Sequence, residues 1–198
     1  MKEKLTLRNV ILWSIALFVL LLFFFTFGVG AKLVGPVDSS MYIDMRIRGA
    51  IWGCWSMTGT VNGHYAGSVN SKPVVSVAAL IGAILLLLSS GGLVAVSFLI
   101  KDEKLKKILI FVCAGVVFVG SILLFFASGA VWRFLVQNMH EEGMTEATIA
   151  LVKQYYAGCR AYSVGGILLG ILGILSAAGI VVSQLVIKDF KLIKSKEA

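Results

Sequence analysis

The sequence predicts an all-α membrane protein, a four-transmembrane-helix bundle with a small extracytoplasmic β-sheet from the first outer loop. Composition is the first observation behind this. Of 198 residues, 59% are hydrophobic and 14% charged, with a mean hydropathy of +0.95, whereas a soluble domain carries about a quarter charged residues. The second is a set of four uncharged apolar runs, 10–30, 74–100, 108–132 and 162–187. Each is as long as the roughly 20 residues a helix needs to cross about 30 Å of hydrocarbon, where only a helix satisfies its own backbone. The third is a period of two between the first and second runs, which marks half-buried strands.

The first run, the helix at about 10–30, follows the basic segment 1–8 and ends near Gly28 and Gly30. The same features would suit a cleaved signal peptide. Its apolar stretch, with Phe23, Phe24, Phe25 and Phe27, exceeds the roughly 7–15 residues of such a peptide's core. Cleavage would leave the other three spans in the same orientation.

The first outer loop, 31–73, alternates Met41, Ile43, Met45 and Ile47 with Tyr42, Asp44, Arg46 and Arg48, and then Trp55, Met57, Gly59 and Val61 with Ser56, Thr58, Thr60 and Asn62. Asn62-Gly63 is the pair that a two-residue type I′ turn prefers. Two or three isolated strands are marginal, so the sheet should rest on the outer ends of the helices.

The second helix, about 74–100, joins the third through the short turn 101–107, which makes the two an antiparallel hairpin. The third should run past the bilayer, over about 108–139, with Trp132 and Arg133 at the interface. In the second outer loop, 140–161, Thr145 suits an N-cap and Ile149, Val152 and Tyr156 recur at helical spacing, with Gly158 ending the helix. The fourth helix covers about 162–187. With no tandem repeat or low-complexity tract, residues 1–198 form a single membrane domain.

Lysine and arginine set the orientation. Segments 1–9, 101–107 and 188–198 hold eleven in 27 positions, against seven in the 72 positions of 31–73 and 133–161. The dense set is expected in the cytoplasm, giving a multi-pass cell-membrane protein with both termini inside. The formal net charge of +8 is therefore read as contact with anionic headgroups of the lipid bilayer, with no nucleic-acid partner.

No Asp, Glu, Lys, Arg or His falls within the four apolar runs, although such residues mark proton and ion pathways. The polarity there is mild: Thr26, Ser76, Ser89, Ser90, Ser121, Ser128, Ser183 and Gln184. Gly166, Gly170, Gly173 and Ala177 form a stripe of small residues on the fourth helix, and Ala78, Gly82, Ser89 and Gly92 a similar one on the second. Such stripes let helices approach closely, within the bundle or between copies.

Cys54 and Cys159 fall in separate outer loops and form a candidate disulfide, provided that their α-carbons come within about 7 Å. His64, His140, Glu141 and Glu142 add donor types that transition metals accept, at a spacing that matches no ligand pattern. No nucleophile with its base and no glycine-rich phosphate cradle is evident. No enzyme activity, cofactor or metal is expected.

Gly53-Cys54-Trp55, placed where a strand leads into a hairpin, is similar to the Gly-Leu-Trp of the claudin first loop. With the four-helix topology, the chain resembles claudins and their relatives. That family carries two cysteines flanking the turn, where this chain has Thr58 and, approximately, Ala66. The resemblance implies a shared shape without that disulfide, and not junction or pore activity.

The function expected is that of a non-enzymatic interaction, scaffold or accessory subunit. Its outer loops would contact a protein partner or another copy, with Trp52, Trp55 and Tyr65 as candidate contacts, because aromatic residues concentrate at binding hot spots. The alternative is a channel or transporter component formed by oligomerisation, with the mild polar residues lining its path.

Overall fold

A computed structural model describes residues 7–72 and 74–186, without the side chains of 54, 55 and 69–72. In chain order its elements are α1 (Leu7–Phe25), β1 (Ala31–Pro36), β2 (Tyr42–Arg48), β3 (Cys54–Val61), β4 (His64–Lys72), α2 (Val77–Leu99), α3 (Glu103–Leu124), α4 (Gly129–Glu141), α5 (Glu146–Tyr155), β5 (Arg160–Tyr162) and α6 (Val164–Leu185). A 3-10 turn at Thr26–Gly28 extends α1, and another at Phe125–Ser128 joins α3 to α4. Four helical stretches among the described residues are long and apolar enough to cross a membrane.

These helices close a ring in which α1 and α3 each pack on both α2 and α6. Small residues at a helix crossing let the backbones approach closely and so add packing contact. Glycine supplies it. A Cβ added to Gly82 would lie 2.5 Å from the Gly120 carbonyl oxygen, and one on Gly120 would lie 3.0 Å from that of Gly82. The α6 stripe is likewise occupied from within the chain. Cβ atoms on Gly166 and Gly170 would meet the carbonyl oxygens of Leu124 and Ser121 at 2.6 and 2.9 Å, and one on Gly173 would strike the Ser121 side chain. Ala177 is buried.

The five strands form one antiparallel sheet in the order β4-β3-β2-β1-β5. On β2 the alternation has its expected result, with Ile43 and Ile47 buried and Tyr42, Arg46 and Arg48 exposed. Asn62 and Gly63 both take positive φ, 51° and 80°, as a type I′ turn requires. The Asn62 carboxamide also accepts from the Tyr42 amide and donates to the Ser40 carbonyl.

The sheet does not come from the first loop alone. β5 belongs to the second loop and pairs with β1, tying the two loops together. Three residues are too few to show a period in sequence. β4 has little apolar content, and its pairing follows from the turn and from β3.

The sheet meets the helices through buried polar contacts. Thr26, fully buried, donates its hydroxyl to the Phe23 carbonyl (2.6 Å) and accepts from the Trp52 indole N–H (2.7 Å). The Trp52 ring stacks on Phe27 at 4.8 Å and meets Phe23 edge-on at 5.7 Å. Ser76 donates to the Phe126 carbonyl inside the 3-10 turn (2.6 Å). Ser163 donates to the Gly30 carbonyl (2.6 Å) while capping α6 through the Gly166 N–H.

Two variants test these contacts by thermal unfolding in detergent. Gly82→Ala should destabilise by about 1–3 kcal/mol as an overpacked crossing, while Gly91→Ala, with open space around it, should not lower the midpoint. Thr26→Val should cost about 1–3 kcal/mol by leaving the half-buried Trp52 N–H without its acceptor.

Candidate functional site

α4 carries the third helical stretch beyond the bundle, to Glu141, in a run of 39 residues from Glu103. On one side of it Trp132, Arg133, Val136, Gln137, His140 and Glu141 line a groove of about 1010 Å³, since residues four apart share a helix face. α5 closes the far wall. Thr145 caps it by accepting from the Thr148 N–H, and it presents Lys153, followed by Tyr156, Ala157 and Cys159. Val74 and Val75, just before α2, complete the lining.

The walls are mainly apolar with a few charged groups, the mixture typical of binding sites of roughly 300–1,000 Å³. Glu141 accepts from the Gln137 carboxamide at 3.2 Å, and His140 lies 3.4 Å from Glu146. Arg133 and Lys153 are both exposed and make no hydrogen bond or ion pair among the described residues. The groove therefore offers cations beside apolar surface.

Two of the lining groups are shifted by burial. Burial pushes the Cys159 thiol up, and its Sγ faces the Pro36 carbonyl at 3.8 Å, so it is not the thiolate that reactive cysteines supply. Tyr156 is pushed up by burial first and by Cys159 second. Above the groove, the Tyr155 hydroxyl donates to Asp38 at 2.9 Å and ties α5 to the β1–β2 loop. Hydrogen bonds from the Ser40 side chain and backbone, then from Tyr155, hold the Asp38 carboxyl below its usual range. The Asp38 hydrogen bond and charge raise Tyr155.

The structure does not bring Cys54 and Cys159 together. Cys159 has a free thiol and lies beside Gly35, where a Cβ would come 2.8 Å from the Cys159 Cα. Gly35 pairs with Ile43, and Ile43 with Val61, at the far end of β3 from Cys54. Seven residues of strand at about 3.3 Å each, with the strands between, exceed the roughly 7 Å that a disulfide allows. The expected bridge is corrected accordingly.

Trp52 is half-buried and engaged with α1, so it is not the exposed contact expected of it. The Trp55 side chain lies outside the described residues. Tyr65 is 68% exposed on β4, an edge strand of the sheet, and does not line the groove. Among the described residues no three of His, Cys, Asp and Glu gather closely enough to hold a metal. The groove has no local sequence signal, because its lining comes from three separate segments, one of them about 60 residues before the other two.

Compared with models of known protein families and with curated protein sequences, the chain matches none.

The Asp38–Tyr155 contact sets a pH window. A lowered carboxyl contributes above its unfolded pKa of about 3.9 and loses that contribution as pH falls further; a raised tyrosine contributes below about 10 and loses it as pH rises. Amide exchange in α5 should therefore be most protected between those limits. Tyr155→Phe should remove the pH dependence and speed α5 exchange at neutral pH.

Proposed function

We propose that this chain is a non-enzymatic, multi-pass protein of the cell membrane, with both termini cytoplasmic, that acts as an interaction or accessory subunit through its sheet end. The observation that carries this reading is the groove between α4, α5 and the start of α2. It pairs apolar walls with two exposed cations that have no partner among the described residues, at the level where the helices leave the bundle. The occupant that it suits is a partner protein's amphipathic segment, whose apolar face would lie on Trp132 and Val136 and whose acidic side chains would meet Arg133 and Lys153. The claudin-like arrangement of helices and outer sheet is in keeping with a contact role.

Transport by an oligomer gains no specific observation. Ser89, Ser90, Ser97, Ser121, Ser176 and Ser183 each donate to a carbonyl of their own helix three or four residues back. Their hydroxyl protons are thereby engaged within their own helices.

Gentle solubilisation of the tagged protein from its native membrane should recover a stoichiometric partner. Ala157→Trp, which fills the groove from an exposed position, should cut that recovery by roughly tenfold or more, as expected for a hot-spot contact. Tyr65→Ala should leave it unchanged. Recovery unaffected by Ala157→Trp, or of the chain alone, would remove this reading.

A further inference from the structure

The opposite end of the bundle holds a second cavity, of about 260 Å³, where the first turns of α1 and α3 meet the last turn of α6. Its lining includes Arg8, Glu103, Lys104, Lys106, Lys107 and Gln184. The geometry points to a binding site for a phosphate group here, with the Lys106 ammonium as its main ligand. This goes beyond the sheet-end reading and stands independently of it.

Lys106 is the observation that carries the inference. Only 9% of it is exposed, and it makes no hydrogen bond or ion pair among the described residues. The burial is that of its stem, while the ammonium itself stays accessible at the cavity, a positioned cation that an anion there would meet through charge-assisted hydrogen bonds. The nearby carboxylate is already engaged, since Glu103 pairs with Arg8 at 3.2 Å and so joins α1 to α3 across the cavity wall. Asp102 is also occupied, accepting the Lys104 and Leu105 amides as the cap of α3.

Among the described residues the cavity lining has one carboxylate, already paired with Arg8, and three lysines besides, and that excess charge favours a phosphate over a singly charged carboxylate ligand. Gln184, 7% exposed, uses one amide hydrogen on Ser183 at 3.3 Å. A carboxamide has two, which leaves another for a phosphate oxygen. The site lies where apolar helices give way to basic residues, the level at which lipid phosphates are found and at which basic pockets between helices take anionic headgroups. A free phosphate would meet the same groups, so the chemistry is shared and the source is decided by experiment.

The full chain in phosphatidylcholine nanodiscs would be titrated with phosphatidylglycerol, and retained lipid counted by native mass spectrometry. Phosphatidylglycerol should be retained in preference to phosphatidylcholine. Lys106→Met, which keeps the apolar stem, should weaken that retention by roughly tenfold or more, the worth of one charge-assisted hydrogen bond. Lys107→Gln, exposed at the rim, should weaken it less and tests the site without altering the core. Lys101→Gln, outside the cavity, should leave it unchanged. Displacement of the lipid by millimolar inorganic phosphate would assign the site to a free phosphate; resistance to it would assign the site to a headgroup. Equal retention of the two lipids, or equal loss in the Lys101 and Lys106 variants, would overturn the inference.

Discussion

Where the helices give way to the sheet, the chain must transfer its backbone polar groups from one hydrogen-bonding pattern to another with little water to help. The fold is arranged around that transfer. Ser76 satisfies the Phe126 carbonyl where the third helical stretch tightens into a 3-10 turn. Ser163 satisfies Gly30 and caps α6 at once. Thr26 serves a helix carbonyl and an indole from the sheet side with a single hydroxyl. Each contact joins segments that are distant in sequence, so these hydroxyls also fix how the sheet sits on the bundle. An unmade hydrogen bond there would cost more than the bond contributes.

Below that junction the packing is a matter of backbone approach. α3 is the common neighbour: it meets Gly82 of α2 on one side and the Gly166, Gly170 and Gly173 stripe of α6 on the other. Glycines of both stripes are therefore engaged in packing within one chain, and the charged surfaces lie at the two ends. At the sheet end they are apolar with separated charges. At the lysine-rich end they are dominated by cations that the described residues do not neutralise.

Much of this was legible in sequence. The spans are dictated by length and hydropathy, β2 and the Asn62-Gly63 turn by alternation and turn chemistry, and α5 by Thr145 and the spacing of Ile149, Val152 and Tyr156. β5 was hidden because pairing with β1, and no local pattern, makes it a strand. The destination of Trp52 was hidden for a related reason: an aromatic residue in a polar loop looks the same whether it faces outward or folds down on Phe27. The distance between Cys54 and Cys159 depends on register across three strand pairings, which composition does not encode. Lys106 looks like its neighbours Lys104 and Lys107 until the bundle buries it alone.

The 3-10 turn at Phe125–Ser128 has a rotational effect on the groove. Each residue of a 3-10 helix advances about 120° around the axis, against about 100° in an α-helix, so four of them add about 80° of phase. The buried positions follow this slip, passing from Leu124 to Ala127, Val131 and Phe134. Trp132, Val136 and His140 are carried round by the same angle relative to a continuous α-helix. The groove thus owes its bearing toward α5 to a winding defect about a turn below it, and the Ser76 hydroxyl that holds the defect acts as an angular stop for the whole projecting rod.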